Sequence, residues 1–431
     1  MNKKTIAACC VFVLGCLILT GSNIVQNGNG NLVPYLLYPH EIDTGAGTTP
    51  SPWVNADNTA GIQTEINSLQ AARGGLVVLA AGKFRMTTGV TITTANQTVM
   101  VQGQAPSFSI SGAIAEGTTA NIIELTNAAS FAFSVGGGSL GAEPTGITLS
   151  NLYIWGGQGV TPNGASNAGI VLTSFCDQPK VDTARISNTG TAVYVSFMDG
   201  GRIEHSSFHH NGYGVYLSGT SWFGQINDNQ TSDNDYHGVY ASTPGTTDNV
   251  ILQNNVYVRN CTLAACSTNP ANVYWNKHNS SIVANTFADA GFCLLGCGGG
   301  RNRQADELFV AGNFNTVQGN NFQETGTQNA SFGCIRLTGN SNLVAGNSFQ
   351  GCATDIIVTG SDNRINQPGA VVADSGTRTV INGVSVNAGD PDAAGAWNGV
   401  AKWPGLVIQD TTNNIQYLYY TATLRTTVTF H

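Results

Sequence analysis

Two clusters of titratable side chains carry the chemistry this sequence could support. The first is His209-His210 followed by Asp233-Asn-Asp235-Tyr-His237, with His210 and Asp233 separated by 23 residues. The second joins Asp306-Glu307, Arg336 and Asp355, with Arg301 and Arg303 nearby. Two carboxyls, one of them protonated, suit hydrolysis of a glycosidic bond. A base beside cationic groups suits β-elimination from a uronate. The catalytic candidates are therefore Asp233, Asp235, His237, His210, Glu307 and Asp355. Asp, Asn and His are also natural turn residues, so each cluster has a plain reading as solvated corners. Asp233-x-Asp235 offers two oxygens to a calcium ion, but no full oxygen set accompanies them. No metal and no cofactor is assigned.

These residues sit inside a repeat. The runs Ala192-Val-Tyr-Val-Ser196, Gly214-Val-Tyr-Leu-Ser218 and Gly238-Val-Tyr-Ala-Ser242 start 22 and then 24 residues apart, a period that belongs to solenoids. The same slot continues through Asn272-Val-Tyr-Trp-Asn276, Glu307-Leu-Phe-Val-Ala311, Cys334-Ile-Arg-Leu-Thr338 and Asp355-Ile-Ile-Val-Thr359. Strand side chains alternate between two faces. The apolar second and fourth residues then point inward, and the third forms an exterior column of Tyr194, Tyr216, Tyr240, Tyr274, Phe309, Arg336 and Ile357. A second register places Ile203, Ile226, Ile251, Ile282, Val317 and Val344 three residues before Ser206, Asn229, Asn254, Asn285, Asn320 and Asn347. Asparagine at one corner of successive coils tolerates left-handed backbone and can bond its neighbour one layer along. Each coil cannot bury its apolar edge alone, so neighbours must stack. The two registers predict a parallel β-helix in which Asn229, Asn254 and Asn285 lie above one another.

The spacing of those corners, 25, 31, 35 and 27 residues from Asn229 onward, exceeds the basic coil. The excess falls at Asn260–Ala271, Ala288–Asp306 and Glu324–Gly333, loops that should rise on one edge of the exterior column. Tyr216, Tyr240, Tyr274, Phe309 and Arg336 are accordingly the substrate-binding candidates. Aromatic rings repeating at about the inter-strand distance suit the apolar faces of a sugar chain. The same rings could equally stack on one another and only stabilise the sheet.

Asn58 to Ala72 has helical spacing and stops at Arg73-Gly74-Gly75. It is followed by Leu76-Val-Val-Leu-Ala-Ala-Gly-Lys-Phe-Arg, Val90-Thr-Ile92 and Val99-Met-Val-Gln-Gly103. This opening resembles pectate-lyase-like or rhamnogalacturonase-like proteins, over roughly residues 57–366. The resemblance implies a right-handed parallel β-helix and, commonly, action on polysaccharide; such families include hydrolases, lyases, epimerases and phage tailspikes. The ordered set Asn-x-Asp, Asp-Asp, Gly-His-Gly and Arg-x-Lys expected of polygalacturonase-type hydrolases is not present, so the resemblance bears on fold more than on reaction.

The whole chain then divides into a signal segment at 1–22, a linker and cap helix at 23–75, the β-helix at 76–368 and a β cap at 369–431. The cap includes a hairpin over Leu406–Tyr420. Charged residues make up only 10% of the 431, with a net charge of −8 and 17 basic residues. That balance disfavours nucleic acid and anionic membrane as partners. Lys3 and Lys4, an apolar run to Leu19 and Thr20-Gly21-Ser22 have the order of a secretory signal, too short to span a bilayer. The expected location is secreted, cell-surface or periplasmic, with no membrane span in the mature chain. Val13-Leu-Gly-Cys16 adds the alternative of lipoprotein anchoring at Cys16. Export permits disulfides; Cys261–Cys266, Cys293–Cys297 and Cys334–Cys352 are local pairs, leaving Cys176. The expected function is an exported polysaccharide-active hydrolase or lyase; the alternative is a non-catalytic glycan-binding or adhesion protein.

Overall fold

A computed structural model describes residues 34–37, 57–71, 74–79, 82–93, 98–103, 121–126, 131–137, 143–156, 167–173, 175–243, 248–262, 266, 269–291 and 302–429. The signal segment, Cys16, Cys293–Cys297 and Arg301 lie outside these residues. Each coil contributes one strand to each of three sheets. In one coil these are Arg202–Glu204, Ser207–His209 and Tyr213–Trp222; in the next they are Gln225–Asn227, Gln230–Ser232 and His237–Ala241. Successive coils pair in parallel with little slip. The chain is a parallel β-helix, as its repeat predicts.

Most strands of the first two sheets are three residues long, so the middle side chain points in and its neighbours point out. The interior therefore fills by columns. On the first sheet Ile203, Ile226, Leu252, Ile282, Val317 and Val344 are fully or almost fully buried. On the second, Tyr257, Phe287, Phe322 and Phe349 stack ring on ring with centroids 4.8–5.3 Å apart. The open end is covered by a helix, Thr59–Ala71, whose Ile62, Ile66 and Leu69 are buried. A Cβ added at Gly75 would lie 2.5 Å from a Leu69 methyl, so a larger residue in strand Gly74–Leu79 would have to push that helix side chain aside. At the other end, Val407–Asp410 and Ile415–Tyr419 form the expected hairpin, and Trp397, Leu406, Ile408 and Tyr419 bury a small second core.

The corners correct the sequence reading in three ways. The ladder residue in its third coil is Asn255, not Asn254. Leu252 pairs with Ile226, and Tyr257 with Thr231, because Tyr257 fills the layer beneath Phe287 whereas Val256 faces outward. The ladder runs Ser206, Asn229, Asn255, Asn285, Asn320, Asn347, each backbone N–H meeting the next Oδ1 at 2.9–3.0 Å. The left-handed backbone belongs to the residue before each ladder side chain: His205, Asp228, Asn254 and Ala284 have φ of 51–56°. Finally, two further ladders exist. Thr189, Asn211, Asn234, Asn260 and Asn272 line the corner between second and third sheets. Ser280, Asn315, Asn342 and Asn363 line the corner that returns to the first sheet.

Candidate functional site

The left-handed corners decide where the titratable residues go. Asn188, His210, Asp233 and Arg259 each precede a member of the second ladder, and all have φ of 50–55°. That conformation turns the ladder side chain inward and its predecessor outward. His210, Asp233 and Arg259 thus form one wall of a groove of about 530 Å³ on the second sheet. His205, Asp228 and Asn254 form the opposite wall, and the floor is made by outward residues of the short strands, among them Arg185, Ser207, His209, Gln230 and Ser232.

Asp233 accepts both Nε and Nη2 of Arg259, at 2.7 and 3.0 Å. Arg185 Nε donates to His209 Nε2 at 3.0 Å, and His209 Nδ1 lies 3.1 Å from His210 Nδ1. Burial, helped by the charges of Arg185 and His210 and opposed by Asp233, lowers the His209 pKa to about 4. Burial raises the Asp235 carboxyl above its ordinary range, while the Thr262 hydroxyl at 3.4 Å and His210 draw it back. Asp235 is the carboxyl at this corner that is biased toward holding a proton.

Within four residues the chain passes from the groove to the aromatic face. Tyr236 stacks on Tyr213 with centroids 4.9 Å apart, and Tyr213 also meets Tyr216 and Tyr240 at 5.1 and 5.5 Å. His237 does not join His210. It begins the next third-sheet strand and is 2% exposed. Its Nε2 lies 3.1 Å from the Asn269 carbonyl, and its ring is parallel to Tyr213. Burial lowers its pKa to about 4.

The exterior column forms with the register read from the repeat. Tyr194, Tyr216, Tyr240, Tyr274, Phe309, Arg336 and Ile357 are direct partners on successive strands. From Tyr216 to Phe309 neighbouring rings touch, with centroids 5.1–5.3 Å apart. Tyr274 is only 8% exposed; Tyr216, Tyr240 and Phe309 are half-buried. The described parts of the loops lie at the edge between second and third sheets. The Cys261–Cys266 disulfide packs with Ala290 and Ala305 against Tyr236, and Arg336 Nη2 donates to the Ser331 carbonyl at 2.6 Å.

In the second carboxylate cluster Asp306 and Glu307 are buried, and Asp355 is half-buried. Glu307 is fully buried at the end of the second ladder, where it accepts from Asn272 and from the Ala290 N–H. Asp306 is 1% exposed and held by Arg336. Asp355 accepts the Val371 N–H at 2.7 Å. The Arg303 side chain lies outside the described residues. Cys334–Cys352 forms as expected, and Cys176 is free and buried.

Sequence reasoning missed Arg185, His209 as a groove residue, Gln230 and Arg259. They occupy first and third positions of three-residue strands or left-handed corners, a pattern readable only once the correct register is known. Asp182, Glu204 and His205 approach one another closely enough to hold a cation. Lys180 Nζ is already there, 3.0 Å from Asp182 and 2.6 Å from Glu204.

Residues 142–313 match the family model described as the right handed beta helix region. Among solved structures, DFA-IIIase from Arthrobacter chlorophenolicus A6 superposes with a TM-score of 0.54 at 20% identity, covering 79% of this chain and 87% of that one. Without its lid and in complex with GF2 the same enzyme gives 0.53 at 18% identity, covering 81% and 94%. A Geobacillus virus E2 protein gives 0.50 at 15% identity, covering 80% of this chain and 59% of its own. No curated protein matches the sequence. The likeness is one of fold: this is a right-handed parallel β-helix protein. Among the described residues no helix is long and apolar enough to cross a membrane.

Proposed function

We propose that this chain is an exported carbohydrate-active protein, a hydrolase or lyase, that binds a polysaccharide at the edge between its second and third sheets. The observation that carries the reading is the junction itself. A groove holding His210 and Asp233 meets an in-register row of aromatic rings through Asp235 and Tyr236. Grooves of this size suit small ligands or a few sugar units, and partly exposed rings offer flat apolar platforms beside them. Asp235, biased toward its protonated form, suits the general-acid role, and Asp233, paired with Arg259, is the second carboxyl at this corner. The match with DFA-IIIase supports the same class through its fold.

The second reading, a non-catalytic glycan binder, is favoured by the burial of Asp306 and Glu307, which removes two carboxylates of the second cluster from any ligand. Incubation with a panel of neutral and uronate-containing polysaccharides separates the two. New reducing ends or unsaturated uronates are expected, and both are lost in Asp235→Asn. Binding without products establishes the second reading, and neither binding nor products overturns both.

A further inference from the structure

The guanidinium and two rings at the foot of the groove admit one consistent arrangement of protons. Arg185 Nε–H donates to His209 Nε2 at 3.0 Å, and an arginine offers only donors. His209 Nε2 must therefore carry the lone pair. Burial keeps that ring neutral above about pH 4, with Arg185 and His210 acting in the same direction and Asp233 against them. Its single proton is then on Nδ1, which faces His210 Nδ1 at 3.1 Å. His210 Nδ1 in turn accepts, so in this arrangement the ring proton of His210 sits on Nε2, at the far edge of an exposed side chain that lines the groove.

We propose that Arg185 is a positioning residue which, acting through His209, fixes His210 as an N–H donor for an acceptor oxygen of a bound saccharide. The opposite arrangement would make His210 Nε2 a base. It requires His209 Nδ1 to accept, which moves the His209 proton to Nε2, against Arg185 Nε–H. Two donors would then meet in a largely buried place, and a charged hydrogen bond would be lost. The nearby carboxylates do not relieve this: both oxygens of Asp233 are engaged by Arg259, and Asp235 accepts from the Thr262 hydroxyl. The role of His210 toward a sugar rests on the function proposed above. In that reaction proton uptake falls to a carboxylate, not to His210.

The test is long-range proton–nitrogen NMR of the full chain labelled at its seven histidines, assigned with His209→Gln and His210→Gln. At pH 7 His209 is expected to show the uncommon Nδ1–H tautomer and His210 the Nε2–H tautomer. In Arg185→Met the His209 Nδ1–H signal should be lost in favour of Nε2–H, and Arg185→Lys, which restores a cationic donor, should recover it. Arg185 is 5% exposed and its ring partner Tyr153 lies 5.2 Å away, so the methionine variant could fail to fold. The wild-type and lysine spectra then decide. An Nε2–H tautomer on His209 in the wild type, or an unchanged His209 in a folded Arg185→Met, overturns the proposal. The ring signals do not depend on any glycan, so a chain inactive on every polysaccharide refutes the proposed function without altering this result.

Discussion

Arg336 closes on Asp306 with two hydrogen bonds across neighbouring coils, Nε to Oδ2 at 2.6 Å and Nη2 to Oδ1 at 3.2 Å. Burial raises the Asp306 carboxyl, against the pull of Arg336 and the Gly333 N–H, to about 6. Folding therefore favours its protonated form, and this group's contribution to stability is lost as pH rises from about 4 to about 6. Arg336→Met should cost about 3–5 kcal/mol near neutral pH, because it strands a buried carboxylate. The cost should shrink at pH 5, where Asp306 can escape by taking a proton. Urea denaturation of both proteins at pH 5 and pH 8 checks the sign.

The aromatic column has two jobs to be told apart. If its rings carry a glycan, Tyr240→Ala and Phe309→Ala should each weaken binding by about 1–3 kcal/mol. Tyr194→Ala should change binding little, since Tyr194 lies beyond the looped edge and its hydroxyl accepts from Ser218 at 2.7 Å. Titration of an oligosaccharide, followed by intrinsic fluorescence, reads the difference. Equal affinities with lowered melting temperatures would make the column scaffold.

Asn255 and Asn254 are adjacent, and only one belongs to the ladder. Asn255 Nδ2 donates to the Ile226 carbonyl at 2.7 Å and to Asn285 at 3.0 Å, and its Oδ1 receives Asn229. Asn255→Ala should cost about 2–4 kcal/mol through the buried groups it leaves unmade. Asn254 is exposed with φ 56°, so Asn254→Gly should stay within about 0.5 kcal/mol. Melting curves of the two variants separate them.

That one-residue difference shows what the sequence could and could not tell. The period, the inward positions and the whole exterior column were legible because Val-Tyr-Val-like runs alternate cleanly. Ile251-Leu-Gln-Asn-Asn255 was ambiguous, since it offers an apolar residue three places before an asparagine in two adjacent registers. The tie is broken by Tyr257 stacking on Phe287, a contact between coils that no local pattern carries. The site suffered more. His210 and Asp233 were placed together correctly because equivalent corners lie one coil apart. His237 was misplaced because its strand begins at that residue, and Glu307 because an inward position in a strand looks like any other acidic residue. Arg185 and Arg259 gave no signal until the strands were known to be three residues long.

Cys176 should be inert in the folded chain. It is fully buried, and burial together with Asp177 and Asp199 pushes its thiol up to about 12. Reactive thiolate is therefore nearly absent at neutral pH. Iodoacetamide followed by peptide mapping should label Cys176 only after denaturation. Labelling of the native protein at that position would mean that this coil opens.

Glu307 allows the sharpest separation of structure from catalysis. Its carboxyl is fully buried, accepts the Ala290 N–H at 2.9 Å and meets Glu324 across the same interior. Burial first, then the hydrogen bond and charge of Glu324, raise it well above the usual glutamate range, outweighing Ala290 and Asn272. A buried carboxyl beside another cannot ionise freely, so the pair holds a proton in the folded state. The folded pKa lies above the unfolded one, so this stabilisation is present below the unfolded pKa and is lost as pH rises through the folded value. Glu307→Gln keeps the shape and an acceptor for Ala290 without a charge to desolvate, but it sets an NH2 against the Asn272 Nδ2 donor. It should fall somewhat below the wild type at pH 5 and close that gap by pH 8, flattening the decline. Glu307→Ala should instead lose about 2 kcal/mol or more at both, by emptying the end of the ladder. Turnover of any polysaccharide the protein accepts should be unchanged in Glu307→Gln, since no ligand reaches a residue inside the coil. A large fall in turnover with stability intact would show that Glu307 acts in the reaction and that the interior opens to substrate.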